Sequence, residues 1–331
     1  GLGDVYKRQE DDYAFRTTDA GATWDTVSFN SLARYLRFTS RNVVWATGGT
    51  GTSSLSTDGG LTWTSCNGGP MVSFVDSLHG WWATPAQRYI LVKESVDGGR
   101  TWAVVGSLDT VNGSETGVRL LHFVSDSLGI CAWHTFWGRN NGATDISITT
   151  DGGWSWQGLG APMWGFGADH SEDGTVVALH WRGCTRIVDG MGEYIEFGLD
   201  EGLRDVSLAA GTHFWACGTG GSIWRSTNSG RLWEEVTSSL GHWARGLTFF
   251  DTAVGLAVCE QAVYRTTDAG RVWSECLASS RSVGRGFVGL AVPAANRAFV
   301  SYDNMEFDGY LLEGRGTLTV FRTDNAGQTW M

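Results

Sequence analysis

One eight-residue pattern, Ser/Thr-x-Asp-x-Gly-x-Thr-Trp, returns along the chain with a near-constant step, and a step of that size restricts the fold to an array of like supersecondary units. Copies occupy residues 17–24, 56–63, 95–102, 149–156, 226–233, 266–273 and 323–330, with Asn228 and Asn325 replacing the Asp in two of them. An eroded copy at 187–194 keeps only Asp189 and a terminal aromatic, Tyr194. Counting it, the terminal aromatics follow at steps of 39, 39, 54, 38, 39, 40 and 57 residues. Omitting it would leave one step of 77.

The pattern reads as a hairpin turn. Asp or Asn can accept bonds from nearby backbone N–H groups, Gly supplies positive φ, and Trp begins a returning strand whose indole packs inward. Asp19, Asp58, Asp97, Asp151, Asn228, Asp268 and Asn325 are therefore structural residues. Two short apolar runs precede the later turns, as in Tyr35-Leu36-Arg37-Phe38 and Val43-Val44-Trp45-Ala46, so a unit reads as strand A, strand B, strand C, turn, strand D, with only C and D expected around the first turn and no D after the last. Four-stranded units repeated in this way make a β-propeller. Seven strand A segments start near residues 34, 71, 118, 164, 204, 245 and 285, which predicts seven blades, while the eight turn copies leave an eight-bladed array open.

Composition agrees with all-β: 47 Gly, only 4 Pro and 12% aromatic residues suit short strands joined by tight turns. A formal charge of -11 gives no global attraction to nucleic acid, and no apolar run is long enough for a membrane span. Residues 1–9 resemble the translation of a sequencing adapter and are set aside. Residues 10–331 are expected to form a single propeller domain cut at both ends, with any signal peptide outside the fragment. Of the six cysteines, Cys131, Cys217 and Cys259 recur at similar places in different units, so the set reads as small buried hydrophobes and not as a disulfide framework.

The turns, together with Phe74-Val75-Asp76-Ser77-Leu78-His79-Gly80-Trp81 and Phe249-Phe250-Asp251-Thr252-Ala253-Val254-Gly255-Leu256, resemble the Asp-box (BNR) repeats of the sialidase superfamily. Within it the chain is most similar to bacterial proteins like the photosystem II stability and assembly factor. The resemblance implies a propeller and an assembly or scaffolding role. The superfamily also holds sialidases and other glycoside hydrolases, so fold alone does not fix function.

Aligned strand A starts place Arg34, Arg119, Arg204, Arg245 and Arg285 in one column. Guanidiniums brought together repel one another unless acids or an anionic ligand intervene, so the column reads either as anion binding or as repeat ancestry with local partners such as Asp205. Two long loops join the same end of the blades. Residues 133–144 bring Trp133 and Trp137, and 302–316 bring Tyr302 and Tyr310 among Asp303, Glu306, Asp308 and Glu313. A sialidase would need a Tyr nucleophile, for which Tyr302 is the nominee, and a Phe/Tyr-Arg-Ile-Pro motif that this sequence lacks. The seven histidines include no close-spaced ligand pair, so neither a metal nor a cofactor is expected. The leading expectation is a non-enzymatic bacterial binding protein outside the cytoplasm, taking an anionic peptide, protein or glycan at the face opposite the turns. The alternative is a glycoside hydrolase.

Overall fold

Each strand pairs antiparallel with its sequence neighbour, as a chain of short apolar runs and tight turns dictates. The computed structural model describes residues 5–7, 13–19, 23–28, 35–38, 42–47, 53–66, 71–86, 89–109, 115–136, 142–159, 167–171, 173–198, 202–237, 240–278, 286–294, 296–304 and 317–331. The protein is an all-β, seven-bladed propeller of mostly four-stranded blades. Blades 1 to 7 begin with strand A at Tyr35, Met71, Glu115, Ala168, Leu203, Ala244 and Gly286, close to the starts read from sequence. A three-stranded sheet over residues 5–28 precedes them, and blade 7 also shows three strands. In that first sheet Val5–Lys7 pairs with Tyr13–Arg16, where a strand B sits in other blades. The chain forms two compact units, Gly1–Gly165 and Phe166–Met331. Among the described residues no helix is long and apolar enough to cross a membrane.

The turn geometry follows from its side chains. In blade 1, Asp58 Oδ1 accepts from Ser56 Oγ (2.8 Å) and the N–H groups of Leu61 (3.0 Å) and Thr62 (2.9 Å), while Oδ2 accepts from Thr62 Oγ1 (2.6 Å). Ser56 Oγ in turn accepts from Gly60 N at 2.7 Å, so this buried hydroxyl is used both ways. Asp97 and Asp151 repeat the arrangement, and Asn228, Asp268 and Asn325 keep its backbone part. Asn325 is tolerated because the hydroxyl bond reverses, its Nδ2 donating to Thr329 Oγ1 at 2.9 Å, while the Asn228 turn has Leu232 in place of the hydroxyl. The eroded copy is a correction. Blade 4 closes with a two-residue turn, Asp189 (φ 49°) and Gly190 (φ 78°), and Tyr194 is 46% exposed with its ring stacked on His180 at 4.7 Å.

Among the described residues, a turn in five of the sheets also receives a donor from the preceding blade. Its fourth residue offers a carbonyl that accepts from Arg16 Nε (Gly59, 2.7 Å), Trp81 Nε1 (Gly152, 2.8 Å), Arg186 Nε (Ser229, 2.6 Å), Trp215 Nε1 (Ala269, 3.1 Å) and Arg265 Nε (Ala326, 2.7 Å). The same tryptophans stack on the last Phe of the next strand A, Trp81 on Phe123 (3.9 Å, 4°) and Trp215 on Phe249 (4.0 Å, 14°). Cys131, Cys184, Cys217 and Cys259 are free and buried, as expected of packing residues, and Cys276 is free and half-buried. Cys66 lies where only the backbone is described.

Two predictions follow from these contacts. A Cβ on Gly255 would sit 2.8 Å from the Phe249 ring, so Gly255→Ala should destabilise by about 1–3 kcal/mol in urea denaturation. The Thr101 hydroxyl, and then its N–H, hold the Asp97 pKa down at about 2, against an ordinary 3.8. A depressed carboxyl contributes stability above its unfolded pKa and loses it as pH falls through the folded one. Thermal melts of Asp97→Asn should therefore fall less steeply than wild type between pH 4 and 2.

Candidate functional site

A meander of four strands sends the start of strand A and the B–C turn to one end of its blade and the turn motif to the other. The arginine column lies at the first end, and the strand pairing shows what kind of position it is. Arg119, Arg204 and Arg245 are each the extra residue of a bulge between strands A and B, where the register shifts from Val118 to Leu120, Leu203 to Asp205 and Ala244 to Gly246. A bulge residue leaves the ladder and re-aims its side chain. In blade 7 the bulge falls at Val288. Arg34 and Arg285 lie outside the described residues, and Arg119 is described for its backbone only.

Blades 4 to 6 show the surroundings in detail. The Arg204 guanidinium carbon lies 5.9 Å from the ring centroid of Trp243, the last residue before strand A of blade 6. That is cation–π range. Trp243 is 56% exposed. On the other side, Trp181 in the B–C turn of blade 4 accepts from Leu203 N through its carbonyl (3.3 Å), and its indole lies on Gly202, where a Cβ would come within 2.6 Å. Trp181 is 37% exposed. Two indoles thus flank the strand carrying Arg204. Arg245 Nη2 donates to Glu260 Oε1 at 2.9 Å across a solvent-exposed pair, which is the local acid partner that repeat ancestry would supply.

Asp205 behaves differently from the expected partner of Arg204. Its Oδ2 accepts from Leu247 N of the next blade (2.9 Å) and its Oδ1 from Val206 N (3.0 Å). Asp169 likewise accepts from Leu208 N at 2.8 Å, so carboxylates tie strand A of one blade to strand A of the next. Burial pushes the Asp205 pKa up to about 6 against these bonds, with the Asp169 charge adding to the rise.

The nominated aromatics fare less well. Trp133 is 4% exposed within the core of blades 2 and 3, and Tyr302 is 7% exposed with its ring 5.0 Å from that of Phe287. Both are packing residues, because strands B extend further than the loop composition suggested. Trp137 and Tyr310 lie outside the described residues. Sequence reading missed Trp181 and Trp243; each is an aromatic in a segment joining strands at the arginine end, a place where packing does not demand one. Among the described residues no three His, Cys, Asp or Glu side chains gather as metal ligands.

No protein-family model matches the chain, and no curated protein matches it. Solved structures do. YCF48 bound to a D1 peptide is 19% identical, covering 90% of this chain and 94% of its own, at a TM-score of 0.57. YCF48 from Cyanidioschyzon merolae is 16% identical, covering 98% and 99%, at 0.59. Apo AztD from Citrobacter koseri is 10% identical, covering 97% and 98%, at 0.61. At these identities the likeness is one of fold, and it places this chain among β-propellers that share its architecture along nearly their whole length.

Proposed function

We propose that this protein acts by binding, taking a peptide or glycan with anionic groups at the arginine end of blades 4 to 6. The observation that carries the reading is Arg204 held over the exposed Trp243, one bulge position away in the repeat from the exposed Arg245. A guanidinium offers a planar fork of donors to a carboxylate, and an exposed indole adds apolar area for the group that bears it. Support comes from YCF48, a propeller of similar fold solved with a peptide bound. We assign the turns to the Asp-box type on their hydrogen bonds, and the protein to an extracytoplasmic scaffold or assembly role on the resemblance in sequence. The burial of Tyr302, the nucleophile a sialidase reading would use, supports binding over hydrolysis.

The test uses hexaglutamate and polygalacturonate as probes, measured by calorimetry on the full chain at low salt. Arg204→Ala combined with Arg245→Ala should weaken binding by about tenfold or more, the loss expected when a charge-assisted bond and a cation–π contact go together. Undiminished affinity in that variant overturns the reading. Turnover of a fluorogenic sialoside by the wild-type protein would replace it with the hydrolase one.

A further inference from the structure

The turn-motif end of blades 2 and 3 carries apolar side chains that the turns do not require. Val96 occupies the second position of its turn, where the other copies hold Thr18, Thr57, Thr150, Thr227, Thr267 and Asp324. Trp154 occupies the sixth, where Ala22, Leu61, Arg100, Arg231, Arg271 and Gln328 stand elsewhere, so it is the one aromatic at that position. Leu78 sits in the A–B turn where blades 3 and 6 have Ser127 and Ala253. All three face solvent, at 68%, 67% and 53% exposure. Such residues mark interaction sites more often than scattered surface apolars do when they share one surface.

They do share one. Gly98 N donates to Leu78 O at 2.8 Å, which seats the Leu78 turn on the Val96 turn. His79, next to Leu78, joins the two blades: Nε2 lies 2.6 Å from Glu94 Oε1 and Nδ1 lies 2.9 Å from Asp126 Oδ1 of blade 3. Carboxylates only accept, so both bonds are those of an imidazolium. Burial opposes that charge, and the bonds from Glu94 and Asp126 outweigh it and raise the His79 pKa. The Trp154 turn lies against strand D of blade 2, its carbonyl 3.0 Å from where a Cβ on Gly106 would be.

Around these apolar groups stand Asp76, Glu94, Asp97, Asp126 and Asp151, against two cations, His79 and Arg100. Asp76 accepts from Leu78 N and His79 N, both at 2.7 Å, and Asp97 and Asp151 accept from their own turns, so these carboxylates are fixed in place and kept ionised. We propose that this surface docks a segment of a partner protein that alternates basic and apolar side chains. The carboxylates are complementary to its Lys or Arg, and Leu78, Val96 and Trp154 to its apolar groups. Anionic lipid would meet the same carboxylates with like charge, which sets a membrane aside as the occupant.

The variants borrow residues from sibling turns and so leave the fold intact: Leu78→Ser, Val96→Thr and Trp154→Gln together. The probe is a fluorescein-labelled peptide of alternating Lys and Leu, read by anisotropy on the full chain, with Lys/Ser and Glu/Leu peptides as comparisons. Wild type should bind the Lys/Leu peptide about tenfold or more tighter than either comparison, and the triple variant should lose that margin. Arg204→Ala with Arg245→Ala should leave it unchanged, separating this surface from the proposed anion site. Absence of binding to the Lys/Leu peptide, or equal binding by the triple variant, overturns the proposal. So does co-sedimentation with phosphatidylglycerol vesicles, or self-association in ultracentrifugation that the triple variant abolishes.

Discussion

The bond on which these blades depend is the one a turn receives from its neighbour. The fourth residue of the turn has positive φ, as at Gly59 (72°), Ser229 (56°) and Ala326 (53°), and its carbonyl becomes an acceptor for the Arg or Trp of the preceding blade. Without the Asp or Asn side-chain oxygen to gather the turn's N–H groups, that carbonyl would have no fixed position. One side chain thus orders its own hairpin and presents the next blade's point of attachment. The donor must then be stiff enough to hold a bond of about 3 Å, which suits an indole stacked on Phe or a guanidinium lying along the sheet.

Along strand A, the inner edges of the blades face a different difficulty. An edge strand presents N–H groups without ladder partners, and leaving them buried and unbonded is costly. Ser73, Asp169, Asp205 and Ser207 meet this by accepting from Phe123, Leu208, Leu247 and Phe249 of the following blade. The Asp205 carboxyl bears the electrostatic consequence, its pKa raised by burial while two N–H groups oppose the rise. Arg204 lies beside one of these carboxylates in sequence, yet the bulge separates their roles: Arg204 goes to Trp243 and Asp205 to backbone.

Much of this was legible in the sequence because turns and strands are local. The Ser/Thr-x-Asp-x-Gly pattern encodes its own hydrogen bonds, and the Phe-to-Gly spacing of Phe249 and Gly255 encodes a ring lying on a bare backbone. Strand A starts fell within a few residues of their observed places for the same reason. Burial was less legible. Trp133 and Tyr302 read as loop aromatics because a strand's length depends on its partner: Trp133 pairs with Val118 and Asp145, and Tyr302 with Phe287 and Thr319. Trp181 and Trp243 went unremarked because their meaning depends on Gly202 and Arg204, neighbours that only the fold supplies.

The bulge in strand A has a consequence for how such a protein diversifies. A residue excluded from the ladder can change identity while the pairing on either side keeps its register, as the exchange of Arg for Val288 in blade 7 illustrates. Blades 3, 5, 6 and 7 therefore each carry one position at which selection can alter surface chemistry with little penalty to folding. A lineage of such repeats can try new specificities one blade at a time.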